Sequence, residues 1–400
     1  MENTQHRSMQ DFEAACRRVG EDAQVCKENK QAIIDFCKAK LAKGSSKVRV
    51  VKCAYCLRYF AHWLKAPFAQ ASKDSLISLV GELESQPYAE YSKYDFKIVL
   101  KMFYKWLKGN DETSPPEISW LKPRMRNKAH KLPEELLTEE EVLRLVEAAN
   151  NPRDKALILL LYETGCRIGE LLSLKVKNVS FDQYGAILRV TGKTGDRRVR
   201  AIVSAPVLST WLDHYEKSKE PDAPLWPPRS TNNHNSKNPA EYRSIYVMLR
   251  KLAGKAGIRK KIYPHLFRHS RATSLANKLT EAQMKEYFGW TQSSAMASVY
   301  VHMSGRDLDD ALLKLNHLAD PKEEETKIQL RNCHRCKQPT SPTSKFCNKC
   351  GAVLNLETAL IVEQERNSAD NIMNRLMHDE EFKNAMVKKM IDLGLGNELA

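Results

Sequence analysis

The sequence predicts a mainly α-helical protein with one small β-sheet, spread over several domains. Three observations carry this. Apolar residues recur at helical spacing through most of the chain, while alternation of apolar and polar residues is confined to Gly185–Ser204. The 400 residues exceed the roughly 100–200 of one ordinary domain. The pattern is interrupted twice, by a proline-rich basic stretch at 109–135 and by a cysteine-bearing stretch at 331–353. A composition 42% hydrophobic and 28% charged excludes a disordered or collagen-like chain. The longest apolar run, Ala156–Tyr162, is far short of the ~20 residues of a membrane span. With no apolar leader in the first residues, the expectation is a soluble, intracellular protein.

The elements follow in order. Residues 1–29 are polar and mixed in charge, and read as an N-terminal segment. Residues 30–108 read as a unit of short helices, with faces set by Ile33, Phe36 and Cys37, by Tyr55, Tyr59, Phe60 and Trp63, and by Phe96, Val99, Leu100, Phe103 and Tyr104. Breaks fall at Gly44–Ser46, Pro67 and Pro87. Cys53 and Cys56 sit in the aromatic stretch with no second pair near them, which suits core cysteines. Residues 109–135 read as an extended linker, with Pro115, Pro116, Pro123 and Pro133 and the basic run Lys122, Arg124, Arg126, Lys128.

A second domain spans 136–318. Thr138 followed by Glu141 is a capping signature. Two helices flank Gly165, and Gly185–Ser204 forms a hairpin or small sheet turning at Gly192–Gly195. Helices resume at Val207–Tyr215 and, after a Pro- and Asn-rich loop at 221–239, run from Tyr242 to about Leu318. Helix, sheet, helix is the order of an α+β domain. In 331–353, Cys333-x2-Cys336-x10-Cys347-x2-Cys350 has the spacing of a zinc ribbon, in which four thiolates close a structural Zn²⁺ site. His334, inside the first knuckle, is not expected to be a ligand. Residues 355–395 have the spacing of one or two amphipathic helices.

The net charge of +15 is unevenly placed. Residues 321–400 carry 12 basic and 12 acidic side chains, so the whole excess lies on the first 320. A basic body with a neutral tail points to a polyanionic partner, nucleic acid before others, and to a tail that is no DNA-binding arm.

Within 136–318 the chemistry-bearing residues are scattered: Arg167 in Thr164-Gly-Cys-Arg-Ile-Gly-Glu-Leu-Leu, Lys193 in the hairpin turn, His265-x-x-Arg268 in Pro264-His-Leu-Phe-Arg-His-Ser-Arg-Ala-Thr273, and Tyr300 after Phe288-Gly-Trp290. No carboxylate cluster accompanies them. Two guanidinium forks match the charge spread over a phosphodiester in its transition state. A tyrosine can attack phosphorus and hold it covalently. A lysine or histidine can protonate the departing hydroxyl.

In order and context these blocks resemble the tyrosine recombinase, or phage integrase, family over about residues 30–310. The resemblance implies a helical core-binding domain at 30–108 and a catalytic domain at 136–318, closing on double-stranded DNA. It implies that Arg167 and Arg268 clamp the scissile phosphate, that His265 hydrogen-bonds it, and that Lys193 is the general acid. Tyr300 would attack to leave a 3′-phosphotyrosine, and Glu170 would support the site. Trp290 stands where the family commonly has histidine; its indole N–H can donate to a phosphate oxygen but cannot shuttle a proton. The activity implied is site-specific cutting and rejoining of DNA without a cofactor for the chemistry, by a tetramer on two paired sites, for integration, excision or chromosome resolution at the nucleoid. A type IB-like topoisomerase and a catalytically decayed DNA-binding regulator are the alternatives. The appended ribbon is similar to that of archaeal integrase-like proteins, and suits a protein partner.

Overall fold

The computed structural model describes residues 12–109, 113–125, 133–192, 195–229, 238–303 and 328–392. The chain divides into two compact units, Met1–His130 and Lys131–Ala400.

The first unit is all helical in its described part. Residues 12–20 (α1) precede α2 (Lys27–Ala42), α3 (Lys47–Leu64), α4 (Lys73–Ser85) and α5 (Glu90–Leu107). Ser72 caps α4 by accepting from the Ser75 N–H, satisfying an otherwise orphaned donor. The buried stripe of α5 is Phe96, Val99, Leu100, Phe103 and Tyr104, three or four residues apart, as one helix face requires. Phe103 meets the edges of Phe36 and Phe68 at centroid distances of 5.3 and 5.0 Å, a favourable aromatic geometry. Cys53 and Cys56 are buried in this core.

Two sequence expectations change here. Residues 12–29 are more than a polar segment: α1 and the turn after it send Ala15, Val19 and Val25 into the core. The mixed charges had masked three apolar contacts. Nor is the start of the 109–135 stretch extended. Residues 116–120 form a turn, Ile118 and Leu121 are buried against the helices, and Lys101 donates to the Leu121 carbonyl. Two prolines favour a tight turn as readily as extension, and the apolar pair decides between them.

The second unit is built round one helix. α6 (Glu139–Ala148) begins with the capping box anticipated at Thr138 and Glu141, both bonds present. α7 (Pro152–Thr164) has Pro at its first position and an Asn151 cap, and its residues Ala156–Leu161 have no exposed surface. A helix apolar all round is a central helix. It ends at Gly165, left-handed at φ +56°, and α8 (Ile168–Leu172) follows.

The sheet is antiparallel, ordered β1 (Val179–Asp182), β2 (Gly185–Gly192), β3 (Gly195–Ala201). Val190 pairs with Arg197 and Leu188 with Val199. Ala186, Leu188, Val190, Val199 and Ala201 face the core. β1 is an addition to the expected hairpin; four residues are too few to display an alternation. α9 (Ala205–His214) and α11 (Pro264–Ala276) pack on α7, and α10 (Tyr242–Lys255) packs on α6, α8 and α11. α12 (Glu281–Phe288) and α13 (Met296–Met303) pack on α11 around a separate small cluster of Ala272, Ala276, Met284, Phe288, Ala297 and Tyr300. The expected helix between 304 and 318 lies outside the described residues.

In the tail, β4 (Arg331–Asn332) pairs with β5 (Pro339–Thr340), and two helices, Leu356–Met377 and Glu380–Asp392, follow. Among the described residues, no helix is long and apolar enough to cross a membrane.

Candidate active site

The turn after α7 sets the first part of the site. Arg167 stands at the start of α8, and Glu170 lies one turn on. The Glu170 carboxylate accepts from the Arg167 main-chain N–H at 3.0 Å and from its Nη1 at 2.8 Å. Oε2, which takes the main-chain bond, also accepts from Nη2 of Arg197 on β3 at 2.8 Å. Burial alone would raise the Glu170 pKa. The bonds from Arg197 and Arg167 outweigh it and hold the carboxyl below its usual value.

Arg197 is fixed further by donation from Nε to the Tyr287 carbonyl at 3.3 Å. Its Nη1 is buried beside Gly289. A Cβ at Gly289 would stand 2.8 Å from that nitrogen, and Gly289 has φ +60°. Glycine is therefore required twice over, by backbone conformation and by the guanidinium. Arg167 Nη2 reaches the Gly289 carbonyl at 3.4 Å.

Arg268, on α11, is buried. Its Nη1 donates to the Gly165 carbonyl at 2.9 Å and its Nη2 to the Phe288 carbonyl at 2.6 Å. These carbonyls close the C-terminal ends of α7 and α12, where the helix dipole favours a cation. Its guanidinium also lies over the rings of Phe288 and Trp290, at 5.1 and 5.4 Å. Burial, then the charges of Arg167 and Arg197, press its pKa down to about 10. Glu170 answers only part of three guanidinium charges. The site is electrostatically incomplete, and an anion placed there would relieve it.

Trp290 follows the left-handed Gly289, and its ring is parallel to that of Tyr300 within 4°, centroids 5.5 Å apart. Tyr300 is 2% exposed. Burial pushes its pKa up to about 12, so at neutral pH it is a phenol. Its Oη lies 2.5 Å from Nδ1 of His269. The exposed His265, one turn earlier on α11, meets the His269 ring edge-on at 4.8 Å.

Thus Arg167, Arg268, Trp290 and Tyr300 belong to one continuous set of contacts, and His265 joins it through His269. Lys193 lies outside the described residues, between the ends of β2 and β3. Sequence reading passed over Arg197 and His269. His269 had a signal: it follows Arg268 and stands four residues after His265, on the same helix face. Arg197 had none, since only the strand register brings it to Glu170.

The four tail cysteines form a second, separate cluster. The sulfur atoms of Cys333, Cys336, Cys347 and Cys350 all lie within 4.8 Å of one another. Both knuckles close alike: the N–H of Lys337 donates to the Cys333 carbonyl and that of Gly351 to the Cys347 carbonyl, both at 2.9 Å. Lys337 and Gly351 are both left-handed, at φ +59° and +69°. Four converging sulfurs can hold a metal ion.

Residues 135–306 match the Phage integrase family. The chain is 27% identical to the tyrosine recombinase XerA of Pyrococcus furiosus over 282 residues, 69% of this chain and 91% of that one. It is 32% identical to a tyrosine recombinase of Thermosipho africanus over 200 residues, 48% of this chain and 64% of that one. The fold is similar to that of a lambda integrase dimer bound to a COC′ core site, with TM-score 0.54, 15% identity, and coverage of 69% of this chain and 78% of that one. It is also similar to XerH recombinase bound to a palindromic difH substrate, with TM-score 0.52, 18% identity, and coverage of 76% and 95%. Residues 135–306, which hold the arginine site and Tyr300, are thus a phage integrase family domain, and the chain is similar along most of its length to tyrosine recombinases.

Proposed function

We propose that this recombinase cuts and rejoins double-stranded DNA at a specific site through Tyr300, with Arg167 and Arg268 as the phosphate clamp. The observation that carries the assignment is the unbalanced cluster of guanidiniums around Glu170, set next to a buried tyrosine through Gly289 and Trp290. The scissile phosphate supplies the missing anion. As Tyr300 Oη bonds to phosphorus, the P–O5′ bond breaks and negative charge grows on the non-bridging oxygens, where rigid forks stabilise it most. His265 donates to the same phosphate. Lys193, between β2 and β3 in the sequence, protonates the 5′ oxygen. Trp290 holds the ring of Tyr300 by stacking and offers its indole N–H to the phosphate. Glu170 and Arg197 keep Arg167 aimed. The phosphotyrosine conserves the bond energy, so rejoining by a 5′ hydroxyl reverses the same step.

The helical first unit, corresponding to 30–108, is assigned as the core-binding domain, 136–318 as the catalytic domain, and the basic charge of both as neutralising phosphates. Two paired sites held by a tetramer are the working assembly, on nucleoid DNA in the cytoplasm. Zn²⁺ bound by Cys333, Cys336, Cys347 and Cys350 is assigned as structural: four thiolates fill its coordination and leave no open position for chemistry. The module it folds, with the two tail helices, serves a protein contact.

The test uses DNA from the flanks of the gene, incubated with the protein in EDTA and quenched with SDS. Wild type should give a protease-sensitive covalent adduct and Tyr300→Phe none, with DNA binding equal. Binding without an adduct in both would favour a DNA-binding regulator, and relaxation of supercoils at no preferred site a topoisomerase.

A further inference from the structure

The mechanism above leaves one proton without a destination. Tyr300 begins as a phenol, and its oxygen must lose a hydrogen as it bonds to phosphorus. The arginines are charged and accept nothing. Lys193 and His265 are assigned to the phosphate and the departing 5′ oxygen.

Resting on that reading, we propose that His269 is a catalytic residue that accepts the proton of Tyr300. The contact is direct, Nδ1 to Oη at 2.5 Å. The acceptor is well held, since α11 also carries Arg268, pinned by two main-chain carbonyls. The phenol is fixed as well, by the parallel ring of Trp290 and by burial among Ala272, Ala276, Met284, Phe288 and Ala297. Such fixed geometry is what general-base catalysis needs. The neutral imidazole with its lone pair on Nδ1 is the form that can accept from Oη, leaving the hydrogen on Nε2. In the forward step the Oη–H bond breaks, its proton passes to Nδ1, and the Oη electron pair forms the bond to phosphorus. The P–O5′ bond breaks, and the 5′ oxygen takes a proton from Lys193. Rejoining returns the proton from the His269 imidazolium to Oη. The charge gained by His269 lies beside the ring of His265, and the bound phosphate offsets it. Proton transfer is thereby tied to substrate occupancy.

The experiment follows single-turnover adduct formation with two substrates: ordinary DNA, and DNA with sulfur in place of the bridging 5′ oxygen at the cut site. The sulfur leaves without needing a proton. On ordinary DNA, His269→Ala and His269→Asn should each slow cleavage about 100-fold or more, the usual scale for a lost general base, with DNA binding unchanged. Asparagine can still hydrogen-bond Oη but is not basic. On the sulfur substrate the Lys193→Ala defect should disappear and the His269 defects should persist. Recovery of His269→Asn to within threefold of wild type would make His269 an orienting group only and overturn the proposal. So would faster cleavage by His269→Ala, which would make the contact a resting latch, or rescue of that variant by sulfur. Absence of adduct from wild type would instead overturn the function proposed above.

Discussion

The arginine site and the four-cysteine module solve the same problem, holding like groups close together, in opposite ways. The cysteines sit within eighteen residues, and two copies of one local turn bring their sulfurs together. The arginine site draws on α7, α8, β3, α11, α12 and α13, and each guanidinium is tethered to a carbonyl or carboxylate belonging to another element. The cysteines could share a metal ion. The arginines have Glu170 and, in the proposed reaction, a phosphate. A local site can be lost without the rest of the molecule, whereas a site assembled from six elements depends on the whole domain.

The largest effect that tests this contrast is removal of one oxygen. Tyr300→Phe should abolish the adduct while leaving metal content and DNA affinity as in wild type; a parallel fall in affinity would make the hydroxyl structural. Next, Arg167→Ala should slow cleavage by about 10²–10³, the scale of a lost transition-state donor, and a loss below tenfold would remove Arg167 from the clamp. Gly165→Ala probes the dependence on the whole domain. It places a Cβ 2.4 Å from the Phe288 ring at φ +56°, and should cost about 2–4 kcal/mol from left-handed strain and overpacking. Thermal unfolding would show this, and an unchanged Tm would mean that the α7–α12 junction is loose. Cys347→Ser, or prolonged chelation, should release the metal and open residues 331–353 to protease, with cleavage at a single site kept within a fewfold of wild type.

The smallest effect is in acid. Glu170 has its folded pKa below the ordinary carboxylate value. Its contribution to stability is therefore complete above the unfolded pKa, and is lost as pH falls through the folded one. The advantage of wild type over Glu170→Gln in thermal unfolding should be full near neutrality and shrink below about pH 4.5, the region of an unperturbed carboxylate. An advantage that grew in acid would contradict the Arg197–Glu170–Arg167 bridge.

Sequence alone determined what is local. The helix start at Thr138, the turn at Gly165, the alternation of β2 and the cysteine knuckles are each specified within a few residues, because capping, φ preference and pleat period act over that distance. The basic body and neutral tail were likewise readable, since charge adds up whatever the fold. Arg167, Arg268 and Tyr300 could be picked out because each lies in a distinctive block. Only the tertiary structure decided that Arg197 completes the Glu170 bridge, that Arg268 is anchored by the ends of two helices, and that Nδ1 of His269 meets the hydroxyl of Tyr300. It also decided that residues 12–29 and Ile118 belong to the first core. These outcomes depend on which elements pack together, and packing follows from burying apolar faces across the whole unit, a constraint that no stretch of a few residues contains.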